Sequence, residues 1–120
     1  MPTDRGEVGA AALDGRIYVL GAYSGATDAN EAYDPAADSW QSLAPLPRAL
    51  NHVCAVGIGS TLFVIGGFDP TIGNRPVDST YAFDPATNTW SSCAPMPTPR
   101  GALACAIREA LWRSSADYRR

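Results

Sequence analysis

The apolar positions of this chain come in short runs, and the runs recur. A run of small residues, Glu7–Leu13, is followed by a β-branched and aromatic run, Arg16–Gly21, and the same two-part pattern returns at Asn51–Gly57 and Thr61–Gly66. Each second run suits a strand covered on both faces. Each first run is poor in bulky groups, as fits a strand crowded by its neighbours. Asp14-Gly15 separates the first pair of runs, and that dipeptide tolerates the positive φ values of a tight hairpin turn. Further along each copy an aromatic residue, Tyr33 or Phe83, runs into Asp34-Pro35 or Asp84-Pro85, where proline fixes φ and aspartate can bond the backbone ahead of it. Trp40 or Trp90 then opens a fourth run, which a Pro-x-Pro segment closes, because proline removes backbone donors. The pattern predicts four short strands, A to D, in each copy, and all-β structure through about residue 107.

The two copies are an internal repeat. Between 34–47 and 84–97, eight of fourteen positions are identical at one constant offset. A period near fifty, with an apolar run ending in small residues and a later aromatic and tryptophan pair, marks one blade of a β-propeller. The residues resemble kelch repeats, whose pattern is an apolar strand closing on Gly-Gly, then an aromatic and, seven residues later, a tryptophan. Thr61-Leu62-Phe63-Val64-Ile65-Gly66-Gly67, Phe83 and Trp90 satisfy it fully, while the first copy departs from it by closing on Gly21-Ala22. The fold expected from the resemblance is two four-stranded antiparallel blades of an incomplete propeller. The first blade covers about 5–47 and the second about 48–97, and a third repeat starts at 98–107. Gly21, Tyr33, Asp34, Pro35, Trp40, Gly66, Gly67, Phe83, Asp84, Pro85 and Trp90 are its structural positions, with the tryptophans packing between blades.

Composition narrows the function classes. A formal charge of −3 and an acidic pI argue against a nucleic-acid surface, which needs clustered positive charge. No signal-peptide pattern and no membrane-spanning apolar run is present, so the expectation is a cytoplasmic chain that binds neither nucleic acid nor membrane. Cys54, Cys93 and Cys105 show no CxxC spacing, which suggests neither a zinc site nor a disulfide framework; the reading is small apolar residues. Kelch-type copper oxidases use several His and Tyr ligands with a thioether-forming Cys, whereas His52 is the only histidine here. Glycosidase chemistry needs paired carboxylates across a cleft, and the acids of this chain are scattered through turns and loops. The expectation is therefore no catalytic residue, no metal and no cofactor, with His52 structural.

Binding is better supported. In an up-and-down blade the B–C loops and D–A connections emerge on one face, and the A–B and C–D turns on the other. The offset between copies grows from 45 (Gly21 to Gly66) to 50 (Tyr33 to Phe83), so the second B–C loop is five residues longer, and variable loops on a rigid scaffold are where recognition evolves. Arg48, Asn51, Asp69, Asn74 and Arg75 are expected on that face, with Arg5 and Arg100 at the corresponding positions of neighbouring repeats. The resemblance implies a non-enzymatic interaction module that binds a protein or peptide. The alternatives are a piece of a larger, sugar-acting kelch enzyme whose catalytic residues lie on absent blades, and an inert remnant of a truncated gene. Met1-Pro2-Thr3 and Arg5-Gly6 match Met96-Pro97-Thr98 and Arg100-Gly101 at an offset of 95. The chain thus reads as beginning inside a D–A connection, and self-association to complete a propeller is expected.

The tail at 108–120 differs in kind. It carries +2, from four Arg against Glu109 and Asp117, whereas the repeat body carries −5, from five Arg against ten acids. A B strand is due there and does not come. One permitted coding of 108–117, read in shifted frames, spells Gly-Lys-Leu-Tyr and Val-Ile-Gly-Gly, the missing B-strand words, which raises a frameshift. The other reading is a short helix, since Leu103, Ile107 and Leu111 lie at helical spacing.

Overall fold

Residues 1–103 are described by a computed structural model; the tail reading and the last part of the third repeat lie outside them. Strands β1 (Gly9–Leu13), β2 (Arg16–Leu20), β3 (Asn30–Asp34) and β4 (Ser39–Ser42) form one antiparallel sheet in that order. Strands β5 (Cys54–Ile58), β6 (Thr61–Ile65), β9 (Thr80–Asp84) and β10 (Thr89–Ser92) form a second with the same topology. The second B–C loop folds on itself as a hairpin of β7 (Phe68–Asp69) and β8 (Arg75–Pro76), with a one-turn 3-10 helix (Pro70–Ile72) at its tip. The structure is thus all-β, two four-stranded antiparallel blades packed face to face.

The strand limits follow from local chemistry. Leu13 pairs with Arg16 across the two-residue turn, and both turn residues take positive φ, 49° at Asp14 and 75° at Gly15, the conformation whose twist matches the flanking strands. Asp34 Oδ1 accepts from Ala36 N at 3.0 Å, and Asp84 Oδ1 from Ala86 N at 3.0 Å, so the repeated aspartate builds the same turn twice. The A strands start later than the small-residue runs do, at Gly9 and Cys54, because the residues before them belong to the connections. The D strands start one residue before each tryptophan.

The core lies between the sheets. Leu13, Tyr18, Leu20 and Ala32 of the first blade face Leu62, Val64 and Phe83 of the second, with Leu46, Leu50 and Val53 of the D–A connection closing the inner end. Trp90 packs against this cluster and stacks at 4.8 Å on Phe83, its cross-strand partner. Trp40 makes the same pair with Tyr33, centroids 5.1 Å apart, on the flank of the first blade that faces away from the second. The A strands lie side by side: a Cβ on Gly57 would stand 2.6 Å from Ala12 O, which explains their small residues.

One expectation is corrected. Cys54 is buried in β5 and disulfide-bonded, not merely a small apolar residue; spacing along the sequence carries no information on which side chains blade packing brings together. Cys93 is free and exposed.

Candidate interaction face

The D–A connection lies directly on the B–C loop of its own blade. Leu46 N donates to Asp28 O at 2.8 Å and Leu50 N to Thr27 O at 3.1 Å; in the second blade Met96 N donates to Asp78 O at 2.8 Å and Arg100 N to Val77 O at 3.0 Å. The two kinds of segment form one continuous surface at one end of the sheets.

At this end each repeat places a left-handed residue ahead of its A strand, Glu7 (φ 60°), His52 (φ 51°) and Ala102 (φ 54°). They are linked through the backbone, His52 N donating to Glu7 O at 2.9 Å and Ala102 N to His52 O at 3.0 Å. His52 also bonds Asn51 Oδ1 through Nδ1 at 2.7 Å and the Glu7 carboxylate through Nε2, and meets Phe68 edge-on. Its role is a satisfied junction between blades.

The hairpin is held from below. Asp69 caps the 3-10 turn, accepting from Thr71 N at 2.8 Å and Thr71 Oγ1 at 2.6 Å, and its other oxygen takes Arg48 Nε and Nη2 at 3.0 and 2.7 Å. Burial alone would raise the Asp69 carboxyl, but the hydrogen bonds from Thr71 and Arg48, with the Arg48 charge, outweigh it and hold the group below the usual carboxylate range. The same hydrogen bond raises the Arg48 guanidinium. Asn51, fully buried, donates to Asn74 Oδ1 at 2.8 Å, and Asn74 takes φ 54° beside Gly73 at 81°.

The anticipated residues therefore divide. Arg48, Asn51, Asp69 and Asn74 are brought together, but as the footing of the hairpin. Arg5 lies apart, its side chain fully buried against the first blade, donating to Val19 O, Gly21 O and Ala29 O and pairing with Glu31 at 2.8 Å. Arg75 and Arg100 are exposed. Two exposed side chains were missed from sequence: Tyr23, 53% exposed on the first B–C loop, and Ile72, 49% exposed at the hairpin tip. The signal for Ile72 was Asp69-Pro70 followed by Gly73-Asn74, a cap and a left-handed stop around one apolar residue.

At the other end a small cleft opens between blades, lined by Arg16, Tyr18, Gln41, Ser42, Leu43, Pro85 and Asn88 among others. Burial pushes the Tyr18 hydroxyl up. Among the described residues no cluster of three or more His, Cys, Asp or Glu could hold a metal ion, and no helix is long and apolar enough to cross a membrane.

Comparison with known proteins places these observations in a family. A model of the kelch motif matches residues 4–47 and 49–97. The chain is similar to Kelch-like protein 35 of Mus musculus, 34% identical over 58 residues, and to Kelch-like protein terF of Aspergillus terreus, 33% identical over 76 residues. These stretches cover 47% and 56% of this chain, but only 10% and 17% of the relatives, so the chain spans a small part of their length. A solved structure titled "Structure of YjhT" superposes with a TM-score of 0.76 at 19% identity, covering 90% of this chain and 33% of that one. That likeness concerns the fold.

Proposed function

This chain belongs to the kelch-motif family, and we propose that it is a non-enzymatic interaction module that binds a protein or peptide segment through the face formed by its B–C loops and D–A connections. The observation that carries this reading is the second B–C hairpin, ordered by Asp69, Arg48, Asn51 and Asn74 while Ile72 and Arg75 remain exposed at its tip and stem. A loop fixed before binding loses less entropy when a partner arrives, and an exposed apolar residue beside a cation offers both contact area and a carboxylate partner. Tyr23, on the neighbouring loop, adds an amphipathic ring to the same face.

The test is to select peptides against the chain from a displayed random library and measure their affinity for variants. Ile72→Asp and Arg75→Glu each weaken binding by about tenfold or more, the effect of losing one well-placed contact. Arg16→Glu, beside the turns at the other end, leaves it unchanged. Equal losses from both ends would overturn the face. Turnover of glycosides by a longer product carrying these repeats would instead support the enzyme alternative, with its catalytic groups on other blades.

A further inference from the structure

The small cleft between the blades has a floor set by strand register. Tyr18, Ala32 and Gln41 lie side by side across β2, β3 and β4. The middle residue is only a methyl, so a hollow remains between the two larger side chains. Tyr18 turns its ring toward the second blade, meeting Phe83 edge-on at 6.4 Å, and Arg16, two residues earlier in the strand, shares that face. Pro85 and Asn88, from the turn between β9 and β10, close the cleft from the second blade, and Leu43 adds an apolar wall. The cleft holds about 150 Å³, a volume at which an apolar protein cavity takes up a molecule the size of benzene.

The polar groups around it are not spent on the fold. Arg16 approaches Asp34 only to 3.8 Å, beyond hydrogen-bond reach. Asn88 Oδ1 accepts from Ala44 N at 2.8 Å, and neither Asn88 Nδ2 nor the Gln41 amide is committed to a partner among the described residues. Tyr18 is 2% exposed, and burial pushes its hydroxyl up, so the group stays protonated and donates at neutral pH. The second blade lacks this set. Thr61, Phe63 and Ser91 stand where the first blade has Arg16, Tyr18 and Gln41, around the same central alanine, Ala82. A blade therefore forms without the guanidinium, the phenol or the carboxamide.

We propose that this cleft binds a small monocarboxylic acid as its anion, with Arg16, the Tyr18 hydroxyl and the Gln41 and Asn88 amides holding the carboxylate, and Leu43, Pro85 and the Ala32 methyl enclosing a short apolar body. Donors outnumber acceptors there, and a guanidinium fork matches a carboxylate in shape. The walls suit a ligand with an apolar end, which inorganic phosphate lacks. Asp34 is the group that gives way. Its Oδ1 already serves the turn at Ala36, and an exposed ion pair at its separation from Arg16 contributes little, so a carboxylate seated closer to the guanidinium displaces it. The site lies at the opposite end of the blades from the loop face and does not depend on it.

The experiment titrates sodium isobutyrate into the isotopically labelled full chain at constant ionic strength, followed by amide NMR. The expected result is saturable shifts confined to the surroundings of Arg16, Tyr18, Gln41 and Asn88, with a Kd of about 1 mM. Isobutyramide, of the same shape without the charge, binds about tenfold more weakly or worse. Arg16→Thr and Tyr18→Phe install the second blade's own residues, with which the repeat already folds. The first weakens isobutyrate by about tenfold and the second by about fivefold, the effects of losing a charged and a neutral hydrogen-bond donor. Shifts that spread over the chain without saturating overturn the proposal, as does isobutyramide or inorganic phosphate binding as well as isobutyrate, or an affinity that neither substitution changes.

Discussion

Trp90 of the second blade donates its indole N–H to Ala44 O of the first, 46 residues earlier, at 2.9 Å. The ring fills the space between the sheets, and its one polar atom is satisfied by a carbonyl at the end of the neighbouring D strand. An aromatic residue thereby fixes both the depth and the register of the junction.

Trp90→Phe should lower the unfolding free energy by about 1 kcal/mol, the net worth of a hydrogen bond, and Trp90→Ala by about 3–5 kcal/mol. Trp40→Ala should cost clearly less in dilute solution, since Trp40 lies outside the inter-blade cluster. Urea denaturation of the three variants measures all of this.

Asp69 makes the hairpin sensitive to acid. Its pKa in the folded chain lies below the ordinary carboxylate value, so its stabilisation is complete above that value and drains away as pH falls through the folded one. Protection factors over 66–79, the exchange rates referred to the intrinsic amide rate at each pH, should therefore fall on acidification through and below the usual carboxylate range. Asp69→Asn should open the same segment at neutral pH by about 1–3 kcal/mol and remove most of the pH dependence.

Arg5 and Glu31 form a buried pair, their side chains 0% and 4% exposed. Removing one partner should cost about 3–5 kcal/mol because it strands a charge, while Arg5→Met with Glu31→Leu should recover much of that loss. A double-mutant cycle in thermal melts resolves the two effects.

Gly67 has φ 107°, and a Cβ there would stand 2.7 Å from Asn51 O. Gly67→Ala should destabilise by more than about 1 kcal/mol, because strained backbone and a rigid neighbour act together. Ala22, its counterpart, is buried and not among the positive-φ residues, so Ala22→Gly should cost only about 0.5–1 kcal/mol. Comparative melts test the pair.

The blades were legible because repetition fixed both period and residue class, and because Asp14-Gly15, Asp34-Pro35 and Asp84-Pro85 each encode a turn locally. The departure Gly21-Ala22 was visible too, but not its cause, since only the fold shows that the second copy needs the left-handed backbone and the first does not. The candidate face was legible as a shared surface, because topology alone puts B–C loops and D–A connections together. Its residues were harder. Arg5 and Arg100 are equivalent by sequence, yet one is buried among carbonyls of the blade that follows it and the other is exposed. Arg48 and Asp69 look like binding residues until their mutual contact is seen.

The left-handed residues Glu7, His52 and Ala102 are joined through main-chain atoms, N–H to carbonyl, from one repeat to the next. An acid, an imidazole and a methyl group occupy the same backbone position and keep the same link. The link between successive repeats is therefore written in main-chain atoms, and the charge and shape of the surface at this position can drift through substitution while the backbone contact beneath it stays as it is.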